Sequence, residues 1–246
     1  MLLVLEVIPV QRDEHPSEMK LALTSALAVL AAFPAFGQTN VTLSAKSWLL
    51  LDCDVSGDYC YNNDPSIAVL SNSPSGNLQF TFPNPSTGTA NYLTIPWRAS
   101  LSKYSTMTIT VQTVALSGSP IFDFNLQGTD DGPHPASVRP YIQYVNDNGT
   151  GESYANKEWW ADDPYSYTLD EFGVMTITVP LTELSVWSNE SGQTADSSPA
   201  ETAAFQNVLA HPGQIGMTFG GGWFYGHGIT VEYGTAQFAL SLVEFQ

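Results

Sequence analysis

The run Gly220-Gly221-Gly222-Trp223-Phe224-Tyr225-Gly226-His227-Gly228 sets three aromatic rings and a histidine among glycines, just ahead of the alternating segment that ends the sequence. Glycine lets a backbone turn or bulge where other residues are strained, so rings in such a stretch can be presented at a surface, as they are where rings stack on sugars. The same pattern also suits strands that turn while their rings fill a core. A sugar site pairs an aromatic platform, which packs on the C–H face of a pyranose, with planar polar groups that bind hydroxyls. Residues of these types are Trp97, Trp159, Trp160, Trp223 and Tyr225, with Asn125, Gln127, Asp130, Arg139, Gln143 and Asn156 as polar partners. Trp159-Trp160 stands out, because neighbouring strand residues point to opposite faces. One ring is expected in the core and the other exposed.

Asp52-Cys53-Asp54-Val55-Ser56-Gly57-Asp58 reproduces the opening of a calcium loop, with oxygen ligands from Asp52, Asp54, Ser56 and Asp58 and a glycine at the sharp turn. The fit then decays: Asn63 stands where a bidentate glutamate belongs, followed by Asp64, and Pro65 opposes a following helix. An acidic hairpin tip explains the same residues, with Cys53 and Cys60, the only two cysteines, joined in a disulfide that closes it. Asp130-Asp131 and Asp162-Asp163 read as solvated turns. Catalytic chemistry would need converging carboxylates or bases, and Glu152, Glu158, Glu171, Glu183, Glu190, His134, His211 and His227 supply the types without a spacing that selects a pair. No Gly-x-Ser-x-Gly, Walker or His-Glu-x-x-His pattern is present.

Charge narrows the partners. The 246 residues carry 7 Lys and Arg against 24 Asp and Glu, a formal net charge of −17, which repels nucleic acid, anionic membrane surfaces and polyanionic substrates. Neutral or weakly charged glycans and divalent cations are the compatible partners, although acidity also serves solubility alone. Residues Met19 to Gly37 read as a secretory signal: Lys20 precedes the apolar run Leu21 to Phe33, and Ala35-Phe36-Gly37 gives small residues at the cleavage positions. Met19 is then the expected start, residues 1–37 an over-extended start plus signal, and residues 38–246 one mature, exported domain. No segment reaches the length of about 20 apolar residues that crosses a bilayer.

Short runs that alternate β-branched or aromatic residues with polar ones recur between Gly, Pro, Asn and Ser. They are Asn40 to Leu51, Leu78 to Phe82, Tyr92 to Ile95, Thr106 to Val114, Ile121 to Leu126, Val138 to Val145, Val174 to Val179, Gln214 to Phe219, Ile229 to Tyr233 and Thr235 to Phe245. Such a cadence predicts an all-β sandwich or barrel; the reading adopted is a sandwich of two antiparallel sheets, with the last strand paired to the first. A single short surface helix is expected over Pro199 to Ala210, capped by Ser198, with Glu201 in its first turn and Phe205, Val208 and Leu209 on one face.

From Thr106 to Phe245 the succession Met107 to Val111, Phe122 to Leu126, Val138 to Tyr144, the Trp pair, Val179 to Thr182, Trp187-Ser188, a helix and Ile215 to Gly222 resembles secreted bacterial jelly-roll proteins similar to galactose-binding-like carbohydrate-binding modules. The resemblance implies a jelly-roll fold and a role on extracellular polysaccharide; it supplies no catalytic set. The Glu-x-Asp-x-Glu strand of jelly-roll glucanases is absent, as are the Arg-x-Glu-x-Arg and Gln-x-His strands of jelly-roll alginate lyases. The reading is therefore a non-catalytic binder of a glycan. A polysaccharide-active enzyme and a structural extracellular protein stand as alternatives.

Overall fold

Period-two alternation fixes which side of each strand meets the core, and the computed structural model packs two antiparallel sheets face to face on those sides. It describes residues 37–54, 60–124, 136–145, 156–169, 172–221 and 227–246. The expected signal, Gly37 apart, lies outside them. In chain order the strands are β1 (Thr39–Asn40), β2 (Leu49–Cys53), β3 (Cys60–Asn62), β4 (Ser71–Asn72), β5 (Leu78–Thr81), β6 (Thr89–Pro96) and β7 (Thr106–Asp123). They continue as β8 (Ala136–Tyr144), β9 (Glu158–Ala161), β10 (Tyr167–Thr168), β11 (Gly173–Pro180), β12 (Trp187–Asn189), β13 (Pro212–Gly221) and β14 (Thr230–Phe245). The helix α1 (Pro199–Ala210) falls between β12 and β13.

One sheet has six strands in the order β11-β7-β14-β5-β4, with β1 also paired to β14; the other has eight, ordered β12-β9-β8-β13-β6-β2-β3, with β10 paired to β8. From β5 to β8 the chain alternates between the two sheets, which is the winding of a jelly roll. Thr39 pairs with Phe245 and Asn40 with Glu244, so the last strand does hold the first.

Two gaps expected between strands are not strand ends. Thr106–Asp123 and Thr230–Phe245 each run unbroken and pair along almost their whole length, with register shifts at Glu232/Gly234 and Thr235/Ala236. The turn-forming residues mark bulges there: Gly118 sits at φ +66°, and a Cβ on Gly234 would lie 2.3 Å from the Ser117 carbonyl oxygen. The strands β3, β4, β9, β10 and β12 have at most four residues each, too short for alternation to announce.

The core between the sheets is strongly aromatic. Phe219 of β13 enters a group of phenylalanines from the six-stranded side, with ring centroids 5.6 Å from Phe80, 5.6 Å from Phe82 and 5.1 Å from Phe238. Helix α1 closes one side of this core. The Ser198 hydroxyl accepts a hydrogen bond from the Glu201 amide, Pro199 occupies the first turn, and Phe205, Val208 and Leu209 are buried, as the sequence predicts. Phe205 lies 5.1 Å from the Trp159 ring and 5.3 Å from Trp187. Among the described residues no helix is long and apolar enough to cross a membrane.

Because Phe205 is fully buried between two indoles, Phe205→Ala is expected to destabilise the fold by about 3 to 5 kcal/mol. Urea unfolding of the variant beside the unaltered protein checks this, and a loss below about 1 kcal/mol would contradict the helix's place in the core.

Candidate functional site

With Val138 and Ile142 directed into the core, alternation turns Ser137, Arg139, Tyr141 and Gln143 of β8 to the other face of the eight-stranded sheet. On β9 the core takes Trp159 and Ala161, leaving Glu158 and Trp160 on that second face. On β13 the core takes Ile215, Met217 and Phe219, leaving Gln214, Gly216, Thr218 and Gly220.

The register turns these alternations into rows across the sheet. Trp160, Tyr141, Gly216 and Thr94 stand in line; so do Glu158, Gln143, Gln214 and Pro96; and Arg139, Thr218 and Tyr92. Gly216 has no side chain to separate its neighbours. Tyr92 therefore reaches across β13 to meet Tyr141 edge-on at 5.3 Å, and Tyr141 in turn lies 5.3 Å from Trp160. Three rings thus span β6, β8 and β9.

Polar groups surround the rings. The Tyr141 hydroxyl donates to Oε1 of Glu158 at 2.7 Å, and Gln143 Nε2 donates to the same oxygen at 3.1 Å. Arg139 pairs with Asp162 at 3.5 Å and donates to the Ala161 carbonyl, while the Ser188 hydroxyl donates to Asp162 at 2.9 Å. The Thr94 hydroxyl donates to Gln214 Oε1 at 2.8 Å. Thr218 Oγ1 is buried on this face with no hydrogen-bond partner among the described residues. A hydroxyl left so is costly unless something else bonds it.

The rings are not laid open as expected. Trp159 enters the core, but Trp160 on the opposite face is only 3% exposed, because Tyr141 packs on it and the charged pairs flank it. Tyr92, Gln143 and Gln214 are the half-buried groups of the face. Trp97 does not join it: the ring packs on Phe245 at 5.7 Å, at the margin of the core. Asn156 is engaged near helix α1, where it donates to Glu201 and accepts from Asn189. Asn125, Gln127, Asp130, Trp223 and Tyr225 lie outside the described residues. Of the residues singled out in the sequence, Arg139, Gln143, Glu158 and Trp160 come together, Asp162 is paired with Arg139 instead of lying in a solvated turn, and Tyr92, Thr94, Tyr141, Gln214 and Thr218 join them unannounced. The signal that could have found Tyr141 is the Ser137-x-Arg139-x-Tyr141-x-Gln143 alternation, polar on the side that a solvent-facing strand would show.

At the other end of the same sheet, Asp52 pairs with Ala90 in β6 and is fully buried. Its Oδ1 accepts from the Asp64 amide at 3.3 Å, and its Oδ2 has no partner among the described residues. Burial, with the nearby Asp64 charge adding to it, raises its pKa from 3.8 to about 6. Asp64 is held lower by hydrogen bonds from the Ser66 hydroxyl and amide. Asp54 is half-buried, and Ser56 and Asp58 lie outside the described residues. Among the described residues no three His, Cys, Asp or Glu side chains converge as a metal site. Cys53 stands directly opposite Cys60 in the β2–β3 pair.

No family model matches the chain, and no curated protein sequence matches it. Similar solved structures include the family 11 carbohydrate-binding module of the cellulosomal cellulase Lic26A-Cel5E of Clostridium thermocellum, at 12% identity over 72% of this chain and 79% of that one, with a TM-score of 0.37. Another is the xyloglucanase domain of NopAA, a type three effector from Sinorhizobium fredii, in complex with cellobiose, at 10% identity over 85% of this chain and 96% of that one, TM-score 0.29.

A carboxyl whose folded pKa exceeds its unfolded value favours the fold most at low pH. The Asp52 contribution is full below about 3.8 and is lost as pH rises through about 6. In chelator, the stability of the unaltered protein relative to Asp52→Asn should therefore fall by about 1 to 3 kcal/mol between pH 4 and 7, allowing for partial screening. Parallel pH profiles of the two proteins would show that Asp52 titrates as an ordinary carboxylate.

Proposed function

We propose that this chain is an exported, non-catalytic carbohydrate-binding protein and that the Tyr92–Tyr141–Trp160 face of the eight-stranded sheet takes part of a neutral or weakly charged glycan. The observation that carries the reading is a row of three touching rings, on the side of the sheet away from the core, edged by hydroxyl, amide and carboxylate groups. A pyranose offers an apolar C–H face and a rim of hydroxyls, and that combination matches rings bordered by Gln143, Gln214 and Thr218. The buried charged groups of the face are engaged: Arg139 is set against Asp162, and Glu158 accepts hydrogen bonds from Tyr141 and Gln143. A polyanion would find no unopposed cation there, and the chain's net charge of −17 repels it from a distance. Both carboxylates are engaged in fixing neighbours, which favours binding over hydrolysis.

Half-buried Tyr92, Gln143 and Gln214 meet the ligand first, with Tyr141 and Trp160 as the floor behind them. On an array of neutral glycans, residues 38–246 should bind a β- or α-linked polysaccharide without releasing reducing sugar. Tyr92→Ala should lower the affinity by about 5- to 150-fold, the equivalent of 1 to 3 kcal/mol for one stacking ring. Thr178→Ala, on the outer face of the other sheet, should bind unchanged. Sugar release would replace the binding reading with an enzyme, and silence on both assays would leave a structural extracellular protein.

Export carries its own support. Directly opposed residues in an antiparallel pair have Cα atoms about 4.5 to 5.5 Å apart, within the disulfide window, and Cys53 and Cys60 are so placed. The protein recovered from a secreting host should begin at Gln38 and take up no thiol alkylating agent until reduced. Intact mass before and after alkylation decides both points.

A further inference from the structure

An inward-facing carboxylate needs a positive neighbour, a proton, or relocation to water. Asp52 is completely buried opposite the core residue Ala90, and its Oδ2 accepts from nothing among the described residues. Among the described residues, the groups that act on its charge are its own amide, the Asp64 amide and the Asp64 carboxylate, none of them cationic. Nor can the intervening stretch 55–59, Val-Ser-Gly-Asp-Tyr, supply a cation, since its one charged residue is Asp58. With only 7 basic residues in the whole chain, a cation from solution is the natural source of compensating charge at neutral pH.

We propose that a hard divalent cation, with calcium as the probe, binds at Asp52 and Asp64. Calcium takes oxygen ligands at flexible geometry, and carboxylates from two strands or turns, completed by backbone carbonyls and water, form a usual low-affinity site. Asp52 supplies the anchored oxygen: Oδ1 is fixed by the Asp64 amide, which leaves Oδ2 for the ion. The Ser66 amide and hydroxyl both bond Oδ1 of Asp64, which leaves its Oδ2 as the oxygen this carboxylate would offer. The tight turn that begins at Asp64, with Ile67 and Ala68 both donating to the Asp64 carbonyl, fixes this carboxylate beside β2. The sequence pattern placed calcium on Asp52, Asp54, Ser56 and Asp58; here Asp64, one residue past the expected bidentate position, becomes the second ligand. The site lies on β2, beside the β6 strand that carries Tyr92, but Asp52 pairs with the core residue Ala90 and so turns to the side of the sheet opposite the glycan face.

The test is thermal unfolding of residues 38–246 at pH 7.5 in chelator and in millimolar calcium. A melting temperature raised by about 5 to 10 °C is expected once calcium exceeds its dissociation constant about 100-fold. Asp52→Asn and Asp64→Asn should each abolish the rise, and Asp196→Asn, an exposed acidic residue elsewhere, should retain it. Asp52→Asn should also melt no lower than the unaltered protein in chelator, which separates lost binding from lost folding. No rise with calcium overturns the proposal in favour of a protonated Asp52, and a full rise surviving in both variants overturns it in favour of another site. Magnesium at the same concentration should produce a smaller rise, because it demands stricter octahedral geometry.

Discussion

The insertion of Phe219 among Phe80, Phe82 and Phe238 governs both faces of the eight-stranded sheet. Those contacts fix β13, the central strand, with Phe219 toward the six-stranded sheet, and a period of two then leaves no freedom for its neighbours. Thr218 and Gly220 must point the other way, and so must Gly216 and Gln214. A shift by one residue would bury Gln214 and Thr218 in an aromatic core and expose Phe219, Met217 and Ile215. The packing of one face thus sets the composition of the other. Because Gly216 is the residue delivered to the middle of the second face, rings from β6 and β8 can meet across a strand that would otherwise hold them apart.

Gly216 is held by more than the rings that close over it. It sits at φ +154°, and a Cβ there would fall 2.1 Å from the Leu93 carbonyl oxygen, so β6 and β13 approach too closely for any side chain. The backbone geometry that pairs the two strands and the vacancy that admits Tyr92 are one feature. The second face is built like a second, polar core: Tyr141 and Trp160 are nearly as buried as the phenylalanines on the opposite side, and their neighbours bond one another instead of water. Such a network costs desolvation and returns rigidity when every member is satisfied. Thr218 Oγ1 is one atom of this face that breaks the pattern.

What could be read from residue order divides along the range of the interactions concerned. Local signals were sufficient for α1, whose cap, first-turn proline and apolar side lie within 12 residues. They were sufficient for β5, β6, β8, β11 and β13 too, but the expected strand Asn40 to Leu51 is two strands, β1 and β2, in different sheets and parted by a turn at Ala45 to Ser47. They misread Gly118 and Gly234 as strand ends, because a glycine that relieves a bulge and a glycine that ends a strand look alike until the partner strand is known. The candidate face was half legible. Arg139, Gln143 and Trp160 were singled out for their chemistry, while Tyr92 and Thr218 were not, since nothing near either in sequence says that β13 will lie between β6 and β8. The exposure of Trp160 failed for the same reason: alternation gives the side a ring leaves by, and only the neighbouring strands decide whether it is covered there.

Asp52 shows the same division in electrostatic terms. Its spacing to Asp54 and Asp58 suggested a loop whose oxygens converge on an ion, a local argument. In the fold, strand alternation sends it inward opposite Ala90 instead, and the chain returns to meet it twelve residues later at Asp64. What makes the position unusual is then that, among the described residues, no basic group acts on its charge, in a chain whose acidic excess leaves few to spare. The acidity that keeps polyanions away from the glycan face is also what leaves this carboxylate without an internal partner. One compositional bias therefore bears on both sides of the sheet: on one it disfavours anionic ligands, and on the other it leaves a buried carboxylate with no basic group acting on it among the described residues.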